Sequence, residues 1–331
     1  MEYREIGHSG LKASALSLGA WAIGGGEWWG DNDDEVSIRS IRRALDFGVN
    51  LVDTAPVYGF GHSEEVVGRA LAGYHDQALI STKCGLWWDD KEGSYHFSRD
   101  GHDVYKNTSA RCIKAGMEQS LKRLQTDHVD VFITHWQSVP PFVTPIAETM
   151  GALMDLKKEG KLRAIGASNI SLEQVKEYMK YGQLDLIQQK YSMLDRAGEK
   201  ELIPFCEENG ITFQCYSPME RGALTGKFQL GYEPPKGSSR ETIQWLKSDR
   251  LPLVLELLDE IKPLCEKYGC SLPQLVIAWT AKRSGSFNVI CGARTLPQVE
   301  DNFPAGALSL SDEDFKKIDE LSKAAIAKAG D

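Results

Sequence analysis

Four side chains in this sequence have the types that protonating a carbonyl oxygen demands: the phenol of Tyr58, the ammonium of Lys83, the carboxylate of Asp53 and the imidazole of His135. Reducing a carbonyl takes a hydride and a proton, because hydride addition leaves an alkoxide. A tyrosine hydroxyl at its ordinary pKa of about 10 donates poorly at neutral pH unless its anion is stabilised. A nearby ammonium favours that anion and draws the phenol pKa down. Lys83 supplies such a charge, and Asp53 holds Lys83 protonated and oriented. A neutral His135 donates a hydrogen bond to the carbonyl oxygen and fixes the substrate. Tyr58 is then the acid, surrounded by groups that polarise the developing oxyanion.

Taken singly, each residue has an ordinary explanation: a satisfied strand-end histidine, half of an ion pair, an amphipathic surface tyrosine. Their placement shifts the balance. Asp53 sits near the end of the apolar run Leu51-Val52-Asp53-Thr54-Ala55, and Tyr58 follows in the next loop. Lys83 ends Ile80-Ser81-Thr82-Lys83, and His135 ends Val131-Phe132-Ile133-Thr134-His135. If these runs are neighbouring strands of a closed parallel barrel, their C-terminal ends converge on one mouth, where barrel active sites lie.

The rest of the chain supports such a barrel. Eight short, largely apolar runs recur at residues 15–21, 49–55, 78–84, 129–135, 164–168, 184–188, 211–217 and 287–292. Runs of this length read as strands buried on both faces. Between them, helical periodicity covers residues 35–47, 108–124 (opening on the capping residue Thr108), 145–159, 172–181, 200–208, 251–268, 273–282 and 312–327. Strands alternating with helices imply a parallel sheet, and eight strands close a barrel. The rival is a doubly wound open sheet with GxGxxG after its first strand. Here the first run leads instead into Gly24-Gly25-Gly26-Glu27-Trp28-Trp29-Gly30, whose spacing does not fit, and Gly222 to Lys227 misses the P-loop spacing. The expected fold is therefore a (β/α)₈ barrel in one domain, residues 1–331. Two long connections, residues 86–107 and 228–250, are expected at the catalytic face, the second as a lid over a cofactor.

Composition narrows the partners. With 47 acidic against 38 basic residues the net charge is −9, which argues against a nucleic-acid or membrane-surface role. No stretch has the length or apolarity of a signal core or membrane span, so a cytoplasmic location is expected. The seven cysteines are scattered without CxxC, and no HExxH occurs; a reduced protein without a metal is the expectation.

At this point the sequence resembles the aldo-keto reductase superfamily over nearly its whole length. The family's tetrad falls on Asp53, Tyr58, Lys83 and His135. The strings Asp53-Thr54-Ala55-Pro56-Val57-Tyr58-Gly59, Ser81-Thr82-Lys83, Gly166-Ala167-Ser168-Asn169 and the run from Gly292-Ala293-Arg294 to Asn302 look like the family's own. The detail is most similar to bacterial branches related to potassium-channel β subunits and inositol-cluster reductases. The resemblance implies an extended nicotinamide dinucleotide across the barrel mouth, without a Rossmann domain. Matching positions assign Ser168, Asn169 and Gln188 (preferred to Gln189) to the carboxamide and Tyr216 to the nicotinamide ring, with Trp21 also at the cofactor. Ser217, Pro218, Met219, Arg221, Gly222, Leu224 and Lys227 resemble the pyrophosphate and ribose loop. Gly292, Arg294, Gln298, Asp301 and Asn302 resemble the adenosine end. A guanidinium at Arg294, just ahead of a helix start near Leu296-Pro297, suits a 2′-phosphate, so NADPH is expected, with NADH possible. Trp28, Trp29, Trp87, Trp88 and Trp136 are the expected walls of a pocket for a small carbonyl substrate, one with a sugar-like character. The implied activity is NADPH-dependent reduction of an aldehyde or ketone. The alternatives are the reverse sugar or alcohol oxidation and a cofactor-binding regulatory subunit. Assembly into a homo-oligomer is left open.

Overall fold

In the computed structural model, which describes residues 1–330, all eight apolar runs form strands and close on one another. They are β1 (Leu16–Gly19), β2 (Leu51–Asp53), β3 (Leu79–Cys84), β4 (Val129–Thr134), β5 (Leu162–Ser168), β6 (Leu186–Lys190), β7 (Thr212–Tyr216) and β8 (Phe287–Gly292). Each pairs in parallel with the next, and β8 returns to β1. This is the expected (β/α)₈ barrel.

Parallel neighbours need a crossover, and helices supply it. They are α1 (Asp34–Asp46), α2 (His62–Leu71), α3 (Ala110–Leu124), α4 (Ile146–Lys158), α5 (Leu172–Tyr181), α6 (Leu202–Glu208), α7 (Leu251–Tyr268), α8 (Leu272–Lys282), α9 (Leu296–Asn302) and α10 (Asp312–Ala329). Several start where a short polar side chain satisfies a free backbone N–H. Asp33, Ser109, Ser171, Ser271 and Ser311 each accept from the backbone N–H three residues on, and Ser171 and Ser271 form full capping boxes. Each such cap contributes about 1 kcal/mol. The cap of α3 is Ser109, one residue after the expected Thr108.

Strand periodicity divides the core in two. Val52, Ile80, Phe132, Ile165 and Ile187 face outward into the layer packed by the helices. Leu51, Val131, Ile133, Ala164 and Leu186 face inward, where Ile6, Leu11 and Ala13 close the bottom of the barrel. Those last three belong to an antiparallel hairpin, Tyr3–Glu5 with Lys12–Ser14. With the floor apolar and sealed, polar strand ends gather at the opposite mouth.

Over that mouth lie three segments. The turn after β1 forms a 3₁₀ turn, Trp21–Gly24, and one short helical turn, Gly26–Trp29. The connection after β3 is a small antiparallel sheet, Leu86–Trp87, Ser94–Arg99 and His102–Lys106, whose hairpin turns at Asp100-Gly101 with both residues at positive φ. The segment 228–250 is mostly turns, pinned by Trp245, whose buried indole Nε1 donates to the Leu194 carbonyl at 3.0 Å. Among the described residues no helix is long and apolar enough to cross a membrane.

Candidate active site

Strand register puts the acid and the ammonium together. Asp53 on β2 lies opposite Ser81 on β3, and Lys83, two residues on, points to the same face one step nearer the mouth. Lys83 Nζ donates to Asp53 Oδ1 and to the Thr54 carbonyl, both at 2.7 Å. The side chains of this pair are 0% and 4% exposed, so the charges are held in a water-poor setting. Burial draws the Lys83 pKa down, and Asp53 and Glu64 pull it back up.

Tyr58 is brought to this pair by a close backbone approach. Gly59 adopts φ +65°, and a Cβ there would lie 2.2 Å from the Gly24 carbonyl oxygen. Only glycine lets the Tyr58 loop touch the turn after β1 in this way. Lys83 Nζ sits 4.9 Å from the Tyr58 ring centroid, and the His135 ring meets the Tyr58 ring edge-on at 5.8 Å. The Trp21 ring lies 6.0 Å away on the other side. All four expected side chains therefore share one place.

The electrostatics differ from the sequence expectation at one point. Burial pushes the Tyr58 phenol well above its usual pKa, the Asp53 carboxylate adds to that, and Arg221 pulls the other way. Lys83 does not lower it on balance, because its charge is already answered by Asp53 at 2.7 Å. The phenol is thus held protonated. His135 is held neutral, its pKa well below the usual range through burial and then through repulsion by Lys83 and His96.

Behind the four runs a chain of buried amides, of which sequence reasoning singled out Gln188 but not Gln214 or Asn288. Gln188, Gln214 and Asn288 are register partners on β6, β7 and β8. Gln188 Nε2 donates to Asp53 Oδ2 at 2.9 Å and to Gln214 Oε1 at 2.7 Å. Gln214 Nε2 donates to Asn288 Oδ1 at 2.8 Å, which also accepts from Ser17 Oγ at 2.7 Å. Ser81 Oγ adds a bond to Asp53 Oδ2 at 3.1 Å. The hint in the sequence was a polar amide inside each apolar run, Gln188, Gln214 and Asn288. Gln188 lies on the inward face and Gln189, by strand alternation, does not.

The remaining candidates fall into groups. Asn169, at φ +53° just past β5, donates from Nδ2 to the His135 carbonyl at 3.0 Å and accepts from the Tyr216 hydroxyl at 2.8 Å, with Ser168 Oγ beside it. After β7 the chain turns through Ser217 (φ +57°), Pro218, Met219, Glu220 (φ +46°), Arg221 (φ +50°) and Gly222 into Leu224. Buried Glu220 anchors this strained turn through Ser192 Oγ at 2.7 Å and Lys190 Nζ at 3.1 Å. The Arg221 guanidinium stacks 4.9 Å from the Trp21 ring and donates to the Ser239 carbonyl. Arg240, unanticipated from sequence, donates to the Arg221 carbonyl at 3.0 Å and lies over Trp29. Arg221, Lys227, Arg240 and Arg294 have no carboxylate partner among the described residues.

Arg294, just past β8, donates to the carbonyls of Ala22 (3.4 Å), Trp29 (3.1 Å) and Asp31 (3.1 Å), tying down the loop after β1. Gln298 Oε1 accepts from the Arg294 backbone, Asp301 accepts from Ser271 Oγ at 2.6 Å, and Asn302 donates to the Gly292 carbonyl. Of the tryptophans, Trp28 and Trp29 pack edge-on against Trp21, and Trp136 follows His135. Trp87 is set apart from these, buried with the Arg111 guanidinium over its ring, whereas Trp88 meets Phe60 beside the cluster that also takes in Tyr58 and Trp136.

Comparison with known proteins agrees with this arrangement. The chain is 44% identical over 321 residues to the NADH-specific methylglyoxal reductase of Escherichia coli, covering 96% of this chain and 98% of that one. It is 34% identical to the probable voltage-gated potassium channel subunit beta of Arabidopsis thaliana, over 92% and 91% of the two chains. The structure of a glycerol dehydrogenase from Gluconobacter oxydans superposes with a TM-score of 0.88 at 34% identity, over 98% of this chain and 96% of that one. The aldo/keto reductase family model matches residues 15–323, and with a closed barrel and relatives of this coverage the chain belongs to the aldo/keto reductase family.

Proposed function

We propose that this chain reduces an aldehyde or ketone to an alcohol with a nicotinamide dinucleotide as hydride donor and Tyr58 as proton donor. The observation that carries the reading is the buried Lys83–Asp53 pair set against the ring of a protonated Tyr58, with a neutral His135 across from it. A buried ion pair is a poor source of stability, since the desolvation of both charges offsets most of their attraction. A purely regulatory role would leave that cost without a use.

The bound cofactor supplies a hydride to the carbonyl carbon; the chain does the rest. His135 and Tyr58 present hydrogen-bond donors to the carbonyl oxygen and fix its position. As negative charge grows there, the phenol gives up its proton. An alkoxide is about as basic as hydroxide and more basic than a phenolate, so the protonated phenol donates to it. Lys83 and Arg221 then face the phenolate that is left.

The residues present fit a dinucleotide. Its pyrophosphate is anionic, and Arg221, Lys227 and Arg240 offer positive charge that no carboxylate ion-pairs among the described residues. Arg221 Nε is buried without a partner. Gly222 turns at φ +102°, a conformation that a side chain would strain, and Lys227 Nζ lies 2.5 Å from where a Cβ would stand. We assign Trp21, Ser168, Asn169, Gln188 and Tyr216 to the nicotinamide end, residues 217–227 with Arg240 to the phosphates, and the segment from Gly292 to Asn302 to the adenosine. Trp28, Trp29 and Trp136 are assigned to the substrate.

On the choice of cofactor, the reading takes NADH as a donor used at least as well as NADPH. The Arg294 guanidinium is engaged by three backbone carbonyls, and a relative is NADH-specific. In Arg294→Ala, kcat/KM with NADH and with NADPH should fall together, because the loop after β1 loosens. A selective loss with NADPH would restore the 2′-phosphate role. The activity itself is tested by assaying aldehydes, ketones and sugars with both cofactors through nicotinamide absorbance; no reduction of any of them sinks the proposal.

The titrations give a pH profile. The cation of His135 forms only well below pH 6.5, and the phenolate of Tyr58 only well above pH 10. The reactive forms therefore persist across the whole interval, and kcat/KM for reduction should be flat from about pH 6 to about pH 9. An inflection in that window, absent from the pH dependence of Tyr58→Phe, would show that one of the two groups titrates there.

A further inference from the structure

The mouth carries a cation that carbonyl reduction does not use. Lys106 ends the small sheet after β3, opposite Leu86 and Ser94, with Val104 opposite Phe97. Paired residues share a face of the sheet. Leu86 and Val104 pack with Ala55, Val57, Tyr58 and Trp136, so the face that holds Lys106 looks onto the mouth. The bulge between Tyr95 and Phe97 re-aims one more residue, bringing the His96 ring within 5.2 Å of the Trp136 ring. Lys106 Nζ stands 4.7 Å from the Trp136 ring centroid. Trp136 directly follows His135, which touches Tyr58. The result is a row from the reacting centre outward: Tyr58, His135, Trp136, then Lys106.

The ammonium at the end of that row is unanswered. Among the described residues no carboxylate lies within ion-pairing distance of Lys106, whereas Arg99 on the neighbouring strand pairs with Glu27 at 2.9 Å. The groups around it add no negative charge. His96 is pushed down to about 4 by burial and by Lys106, which leaves it neutral, and burial draws the pKa of Lys106 itself down. A half-buried cation without a counter-ion, over an aromatic face that opens on the site, is placed to meet an anion that arrives from solvent.

We propose that Lys106, with the Trp136 face and His96, forms a substrate subsite for an anionic group, carboxylate or phosphate, carried by the carbonyl compound at the end remote from its carbonyl. This rests on the reading of Tyr58 and His135 as the reducing centre. The carbonyl sits between those two, the substrate's chain crosses Trp136, and the anion meets the ammonium. A negative charge arriving from solvent is drawn to the Lys106 ammonium, so association is favoured and salt weakens it.

The test compares matched substrates in wild type and Lys106→Met with the same cofactor: 4-oxobutanoate against butanal, and glyceraldehyde 3-phosphate against glyceraldehyde. Wild type should show kcat/KM about tenfold or more higher for at least one anion than for its neutral partner, declining with added salt. In Lys106→Met that ratio should collapse toward one, and Lys106→Arg should retain most of it. Which of the two pairs shows the effect identifies the anion. Equal values within both pairs in wild type, or a ratio unchanged in Lys106→Met, overturns the subsite. A titration of 4-hydroxybutanoate and of glycerol 3-phosphate, the corresponding alcohols, onto the oxidised-cofactor complex separates the two readings, because it needs no turnover. Binding of one of them by wild type and by Tyr58→Phe, lost in Lys106→Met, supports the subsite even where reduction fails; binding of neither, or equal binding in Lys106→Met, removes it.

Discussion

Replacing Tyr58 by Phe should lower kcat for carbonyl reduction by about 10²–10⁴-fold while cofactor affinity stays close to that of the wild type, as expected for loss of a positioned general acid. The ring itself is not lost. Phenylalanine keeps the contacts with Trp21 and His135 and the Lys83 ammonium against the ring face. The approach of Gly24 and Gly59 that holds the loop is likewise untouched. What disappears is the one proton aimed at the developing alkoxide. Cofactor binding is read by quenching of tryptophan fluorescence, to which Trp21 should contribute, and turnover by nicotinamide absorbance. Near-normal turnover would mean that another group, His135 being the neighbour, delivers the proton.

Lys83→Met should destabilise the protein more than its modest change in shape implies, by about 3–5 kcal/mol, because it leaves a buried carboxylate without its partner. Asp53 then keeps only neutral donors, Ser81 and Gln188, and the Thr54 carbonyl loses the bond from Nζ. The same variant should reduce carbonyls far more slowly, since the ammonium that sits against the Tyr58 ring is lost and the Asp53 charge is left unanswered beside the phenol. Stability and activity separate in the double variant Asp53→Asn/Lys83→Met. Removing both charges together avoids the orphaned carboxylate, so most of the stability returns while activity does not. Urea denaturation measures the first and steady-state kinetics the second. A single variant as stable as wild type would show that Asp53 is protonated or solvated, which contradicts its burial.

The barrel was legible because each of its parts has a local signature. A strand buried on both faces must be apolar and short, and a crossover helix must carry a stripe, so all eight strands and eight of the ten helices stand out, together with the start of α9 near Leu296-Pro297. The pieces that escaped lack such a signature or were passed over. The N-terminal hairpin has strands of only three residues, and its role, sealing the barrel floor with Ile6, Leu11 and Ala13, exists only after closure. Helix α2 was readable from Glu64 and Glu65 in its first turn and Arg69 in its last, but it follows a glycine rather than a side-chain cap. The sheet after β3 announces itself in Asp100-Gly101, the kind of turn that favours a tight hairpin.

The site divides in the same way. Asp53, Lys83 and His135 could be found because a parallel barrel sends every strand end to one mouth, a property of topology that position in the sequence already encodes. Sequence therefore determined the kinds of element, their order and the identity of the reacting groups. Only the folded chain decided the state and company of those groups. Burial holds Tyr58 protonated against the expectation that Lys83 would acidify it, register aligns Gln188, Gln214 and Asn288 into a chain behind Asp53, and Trp87 is turned away while Lys106 is turned in. The reason is physical. Backbone periodicity is set by neighbours a few residues away, whereas desolvation and charge pairing depend on which distant segments displace the water.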